Sequence, residues 1–343
     1  MSIFWRWLDH ILSVYFAGRA RPSAPAHLDP EELAFYLQPD ILSDPARLYH
    51  FPDLAPPVEL SPGAPCPWAE RYRLTFPSPF APLCARTAMR YAAYAENRTA
   101  VAELYQPRKK GRGAVLYLHG WMAPSFEMEA RCLFAPLVEQ WGITILALAL
   151  PFHMARRPPR ASFSGELFVS ADLTRTLEAF RQAVAETRAL LAWLRRETDG
   201  PVALAGISLG ALVAALALGG GAEPDLALLA LTPADPAHSL AEAPLLRRVR
   251  EECLHNGLTL DRLYGWAPLV RPAALRPRVP RERLFLVHGH DDRISFPEDV
   301  EQLWQAWGRP PIAWYRGGHF TILVQPRRVL RPCLSFLERL RSG

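Results

Sequence analysis

The chain has 343 residues, half of them apolar, which is ample for a packed core in one large domain or two modest ones. Its formal charge of +5 is a mild excess carried in small arginine groups, which argues against a nucleic-acid partner. No apolar run approaches the roughly 18 to 20 residues that span a bilayer.

In chain order, Phe4, Trp7, Leu8, Ile11, Leu12 and Tyr15 recur at helical spacing, with Arg6, Asp9, His10 and Ser13 opposite them. The pattern predicts an amphipathic helix whose apolar face docks on the body of the protein. A second reading of residues 4–16 is an interfacial helix in peripheral contact with a membrane. Trp5, Trp7, Tyr15 and Phe16 suit it, but the polar face is poor in lysine and arginine. The apolar stretch Ile11 to Gly18 makes a poor secretory signal, because Arg6 and Asp9 lie within the segment rather than ahead of it. The five cysteines are odd in number and form no C-x-x-C pair. Free thiols in a reducing compartment are expected, with no metal site, and hence a cytoplasmic or membrane-peripheral location.

Residues 20–68 are proline-rich, with a short helix predicted at 29–37 from Asp29 as cap and Pro30 at the first helical position. Residues 1–68 therefore read as an extension wrapping a body that runs from 69 to 343. Glu70–Phe76 and Thr99–Tyr105 predict the opening strands. Ala114–Leu118 and Ile143–Leu150 lack alternation and read as buried strands. Helical patterns cover Phe126–Trp141 and Leu173–Glu197. Further strands fall at Val202–Ala205, Asp225–Leu231, Leu284–His288 and Ile312–Tyr315, making eight. Strands alternating with helices indicate an α/β fold with a doubly wound, mostly parallel sheet. Residues 233–282 are too long for an ordinary connection and contain two helical patterns, so they read as a helical cap insertion over the carboxyl ends of the strands.

One motif carries chemistry. Gly206-Ile207-Ser208-Leu209-Gly210 is a G-x-S-x-G pattern between an apolar strand and a helix-like run. That context makes an exposed serine on a sharp turn. His119-Gly120 ends an upstream strand, Asp292 follows Leu284–Gly289, and His319 follows Gly317-Gly318. The order Ser, Asp, His resembles the α/β-hydrolase superfamily, in its carboxylesterase and lipase-like branch, over roughly residues 70–340.

The resemblance implies a serine hydrolase that cleaves a carboxylic ester, thioester or amide through an acyl-serine, acting on a small-molecule or lipid acyl substrate with no cofactor or metal. Ser208 would be the nucleophile, His319 its base, and Asp292 the residue that orients the imidazole. Asp292 fits the H-G-x-x-D turn; Asp291 and Asp235 are rivals. The oxyanion would meet the backbone N–H of Leu209 and of Trp121, with Met122 the fallback donor. His119 reads as structural. Met122, Phe152 and Trp266 are candidates to line the acyl pocket beside Trp121, or are ordinary core. Arg156, Arg157 and Arg160, after the fourth strand, would receive a substrate anion or form a solvated loop. An acyltransferase using the same acyl-enzyme and a binding module without turnover are the alternatives.

Overall fold

Near-continuous apolar runs set the middle of the sheet. In the computed structural model, residues 2–20, 22–23, 26–109 and 111–341 are described; the extension read over 1–68 falls in part on residues 1, 21, 24 and 25, which lie outside them. The strands are β1 (Glu59–Pro62), β2 (Glu70–Pro77), β3 (Thr99–Gln106), β4 (Ala114–Leu118), β5 (Thr144–Ala149), β6 (Val202–Ile207), β7 (Leu226–Ala230), β8 (Leu284–Gly289) and β9 (Ile312–Tyr315). They form one sheet in the order β1-β2-β3-β5-β4-β6-β7-β8-β9. Every residue of β4, β6 and β7 is buried, as a parallel core covered on both faces requires. The first three strands are antiparallel to their neighbours, and all pairs from β5 to β9 are parallel.

Among the described residues the sheet has nine strands, one more than the eight read from sequence. The extra strand, β1, lies inside the predicted extension. All four of its residues are exposed, so it carries no hydrophobic alternation to read. The predicted helix at 126–141 exists but widens into π-turns over Ala130–Phe134 and Pro136–Gln140. Pro136 has no N–H to give the preceding turn, which removes one ordinary helical hydrogen bond there.

The helix Leu173–Glu197 covers one face of the sheet and buries charged residues along with its apolar ones. One of these pairs corrects the reading of the arginine loop. Arg156 is wholly buried, and its guanidinium grips Glu186 through two hydrogen bonds of 2.6 and 2.7 Å. It ties the loop after β5 to the long helix and is closed to any substrate anion. Arg160 instead lies over the Tyr94 ring at 5.2 Å.

The N-terminal helix, Ser2–Arg19, docks on the body by a different face from the one predicted. Trp5, Asp9, Ser13 and Ala17 are buried, whereas Phe4 (53%), Trp7 (58%), Ile11 (40%) and Tyr15 (49%) stay exposed. The helix is turned by specific contacts. Asp9 accepts backbone hydrogen bonds from the loop after β9, Phe16 stacks on Phe320 with ring centres 5.1 Å apart, and Arg328 lies over Trp5. Among the described residues, no helix is long and apolar enough to cross a membrane.

Removing one member of a buried ion pair strands the other charge. Arg156→Ala is expected to lower the unfolding free energy by about 3–5 kcal/mol in urea titrations, and Arg156→Met with Glu186→Met together to recover most of it. A loss of only a few tenths for the single variant would contradict this role.

Candidate active site

Strand β6 delivers Ser208 to a backbone conformation that side chains rarely adopt, with φ +54° and ψ −118°. The helix Leu209–Gly219 starts at the next residue. Its first turn presses so close to the sheet that a Cβ at Gly210 would stand 2.1 Å from the Leu118 carbonyl oxygen. A Cβ at Gly206 would stand 2.3 Å from the Gly210 oxygen. Both glycines of the motif are therefore demanded by backbone approach, and Ser208 projects from the crest between them. The turn is latched by the Ser208 N–H, which donates to Ala230 O at 2.9 Å.

Two loops bring partners to that serine. Ser208 Oγ lies 2.9 Å from His319 Nε2. His319 Nδ1 lies 2.8 Å from Asp292 Oδ2, while Asp292 Oδ1 accepts the Ile294 and Ser295 N–H groups, each at 2.8 Å. The two rival acids are engaged elsewhere. Asp291 pairs with Arg6 at 3.2 Å. Asp235 caps the helix Pro236–Glu242 through the Ala237 and His238 N–H groups and sits 3.2 Å from Arg271. His119 is buried, its Nε2 accepting the Leu150 N–H at 3.0 Å, and burial pushes its pKa down to about 4. It holds the ends of β4 and β5 together as a neutral ring.

The electrostatics of the pair are set by burial and mutual attraction. Burial alone would lower the His319 pKa, but the Asp292 charge and its hydrogen bond outweigh it and hold the imidazole above its ordinary 6.5. Burial alone would raise Asp292, but the His319 charge and hydrogen bond hold it below 3.8. The arrangement keeps an ionised acid behind a basic imidazole that faces a hydroxyl.

Beside Ser208 opens a cavity of about 140 Å³ with an almost wholly apolar lining. The long helix contributes Leu173, Leu177 and Phe180, and the 233–282 segment contributes Leu245, Leu246 and Trp266. Trp121 is in the wall, its Nε1 donating to Gly165 O at 2.9 Å. Neither the Leu209 nor the Trp121 backbone N–H has a backbone acceptor among the described residues. Met122, at φ +64°, and Phe152 are not in the cavity wall. Phe152 is fully buried against Tyr91 and Tyr94 because its own left-handed turn (φ +63°) directs it into the core.

Sequence reasoning missed the long-helix residues, whose burial on all sides hides which of them meet a cavity. It also missed Asp9, which it placed on the solvent side of the first helix. Among the described residues, His27, Asp29 and Glu32 bring possible ligand atoms within 4.8 Å of one another. Asp29, however, caps a helix, and Glu32 is held by Arg90 at 2.5 Å, so the group anchors the extension.

The family described as Alpha/beta hydrolase domain containing 18 matches residues 73–262. An uncharacterized protein of Mycobacterium tuberculosis is 30% identical over 275 residues, 78% of this chain and 64% of that protein, so the chain spans under two thirds of that relative. Among solved structures, acetyl xylan esterase 1 from Thermoanaerobacterium sp. is 14% identical with a TM-score of 0.58, covering 91% of this chain and 99% of that one. An acetyl xylan esterase from Paenibacillus sp. R4 gives a TM-score of 0.55 at 14% identity over 91% and 96%. The Pyrococcus horikoshii acylaminoacyl peptidase gives 0.50 at 18% identity, covering 71% of this chain and 39% of that one. These likenesses concern the fold.

With Asp292→Asn, burial loses its main counterweight. The His319 imidazole midpoint, followed by NMR, is expected above 6.5 in the parent protein and lower in the variant. Equal midpoints would mean that Asp292 does not govern the imidazole.

Proposed function

The chain belongs to the Alpha/beta hydrolase domain containing 18 family, and we propose that it is a serine hydrolase that cleaves a carboxylic ester through an acyl-serine intermediate. The reading is carried by one observation: Ser208 Oγ, His319 and Asp292 Oδ2 lie in a single hydrogen-bonded line. As Ser208 Oγ attacks the acyl carbon, His319 Nε2 takes its proton. Asp292 stabilises the imidazolium that forms. The tetrahedral oxyanion is received by the backbone N–H groups of Leu209 and Trp121, the first of them at the amino end of a helix. Collapse transfers the proton from His319 to the departing alcohol. Water then attacks the acyl-Ser208 with His319 again as base, releasing the acid and restoring the hydroxyl.

The cavity supports an apolar acyl group of modest size. Its volume of about 140 Å³ is close to the roughly 150 Å³ that admits benzene in an apolar cavity. The exposed face of the first helix, with Phe4, Trp7, Ile11 and Tyr15, supports a lipid-borne acyl group presented at an interface.

A fluorophosphonate probe is expected to label the parent protein and spare Ser208→Ala, whose kcat on any ester turned over should fall by at least about 10⁴-fold. A folded parent that resists the probe would refute the hydrolase reading. Across an ester series, kcat/KM is expected to rise about threefold to fourfold per methylene, from ~0.8 kcal/mol each, until the cavity is full. Flat dependence on chain length would remove the acyl pocket. Trp7→Ser with Ile11→Ser should abolish flotation with anionic liposomes; a parent protein that does not float would eliminate the interfacial substrate.

A further inference from the structure

The carboxylate of Asp9 is almost completely buried, at 1% exposure, although it sits on the first helix of the chain, more than half of whose residues face solvent. A buried carboxylate is unfavourable unless it is well satisfied. Here it is. Oδ2 accepts the His319 N–H at 2.8 Å and the Arg293 N–H at 3.1 Å, and Oδ1 accepts the Phe320 N–H at 2.8 Å. Arg293 follows Asp292 in the loop after β8; His319 and Phe320 belong to the loop after β9. One carboxylate therefore bridges the two loops that carry the acid and the base.

A second observation comes from Gly318. A Cβ at this position would lie 2.3 Å from Asp9 Cγ and 2.5 Å from each carboxylate oxygen. The glycine before His319 is thus required by the approach of Asp9. The same helix reinforces the contact on either side: Arg6 pairs with Asp291, and Phe16 stacks on Phe320.

We propose that Asp9 is a positioning residue of the active site, its carboxylate clamping the two loops so that His319 stays within hydrogen-bonding reach of both Ser208 and Asp292, and its charge supporting the imidazolium. This rests on the triad reading of Ser208, His319 and Asp292. Asp9 touches neither the serine nor the space where substrate would lie; it acts through the backbone and field of His319.

The charge has a definite sign of effect. The groups around Asp9 are Asp292, Arg293 and His319 in the two loops, Tyr315 at the end of β9, the Arg6–Asp291 pair beside it, and His288 behind Asp292 at 3.8 Å. Burial, followed by the Asp292 charge, pushes the Asp9 carboxyl up to about 6, so it is ionised at neutral pH and protonates on acidification. While ionised it raises the His319 pKa. Neutralising it permanently must lower that pKa.

Asp9→Asn keeps the side-chain shape but loses the charge and one acceptor oxygen. It is expected to lower kcat about 10- to 100-fold with little change in KM, the scale of a base displaced by a fraction of its reach. It should also move the acid limb of kcat/KM to lower pH, and Asp9→Glu should restore part of both. The His319 imidazole midpoint, read by NMR without substrate, should fall in Asp9→Asn. Gly318→Ala, which drives a methyl into the carboxylate, should reproduce the loss in kcat, and adding it to Asp9→Ala should cost little more. A folded Asp9→Asn protein with an unchanged His319 midpoint overturns the proposal, as do losses that multiply independently for Gly318→Ala and Asp9→Ala. If the parent protein ignores the fluorophosphonate probe, the hydrolase reading fails separately, and the NMR midpoint still decides the role of Asp9.

Discussion

The site depends on how closely one helix is pressed against one strand. With Gly210 against the Leu118 carbonyl and Gly206 against Gly210, the helix Leu209–Gly219 begins almost in contact with the end of β4. Nothing bulkier than hydrogen fits at either point. That proximity lifts Ser208 above the sheet and sets the His119–Trp121 turn beside it. The strained torsion at Ser208 follows from this packing and is held by its bond to Ala230 and by a fully buried helix.

The partners of Ser208 come from the other half of the sheet, at the same carboxyl edge. Parallel strands β6, β7, β8 and β9 all end there, so loops far apart in the chain converge. Each loop is secured by polar groups in addition to apolar packing: Asp292 by the N–H groups of Ile294 and Ser295, Asp235 by the helix it caps, and His319 by Asp9. Such fixed hydrogen bonds hold geometry more tightly than hydrophobic contact alone.

Legibility in the sequence followed the physical signal each feature carries. The buried parallel strands were readable because an unbroken apolar run of four to eight residues, bounded by turn residues, suits a strand covered on both faces. The sharp turn at Ser208 was readable because close approach restricts two positions to glycine. Strand β1 was not, since an exposed edge pair has no pattern. Arg156 was misread because charge implies exposure by default, and only the tertiary structure supplies Glu186. The first helix was assigned correctly, but its buried face was misplaced by a turn about its axis that brings Trp5, Asp9, Ser13 and Ala17 inside. Periodicity ranks faces by hydrophobicity and cannot weigh three hydrogen bonds to one carboxylate. The second glycine of Gly317-Gly318-His319 was the available trace of that contact, and it names no partner.

The first helix also reaches the 233–282 segment that walls the cavity. Arg248 donates to Ala17 O at 2.8 Å, at the far end of the helix from Arg6 and its partner Asp291. One helix thus touches the segment that walls the cavity near one end and the loops bearing His319 and Asp292 nearer the other. Loss of this helix would therefore strip contacts from the cavity wall and from the His319 loop at once.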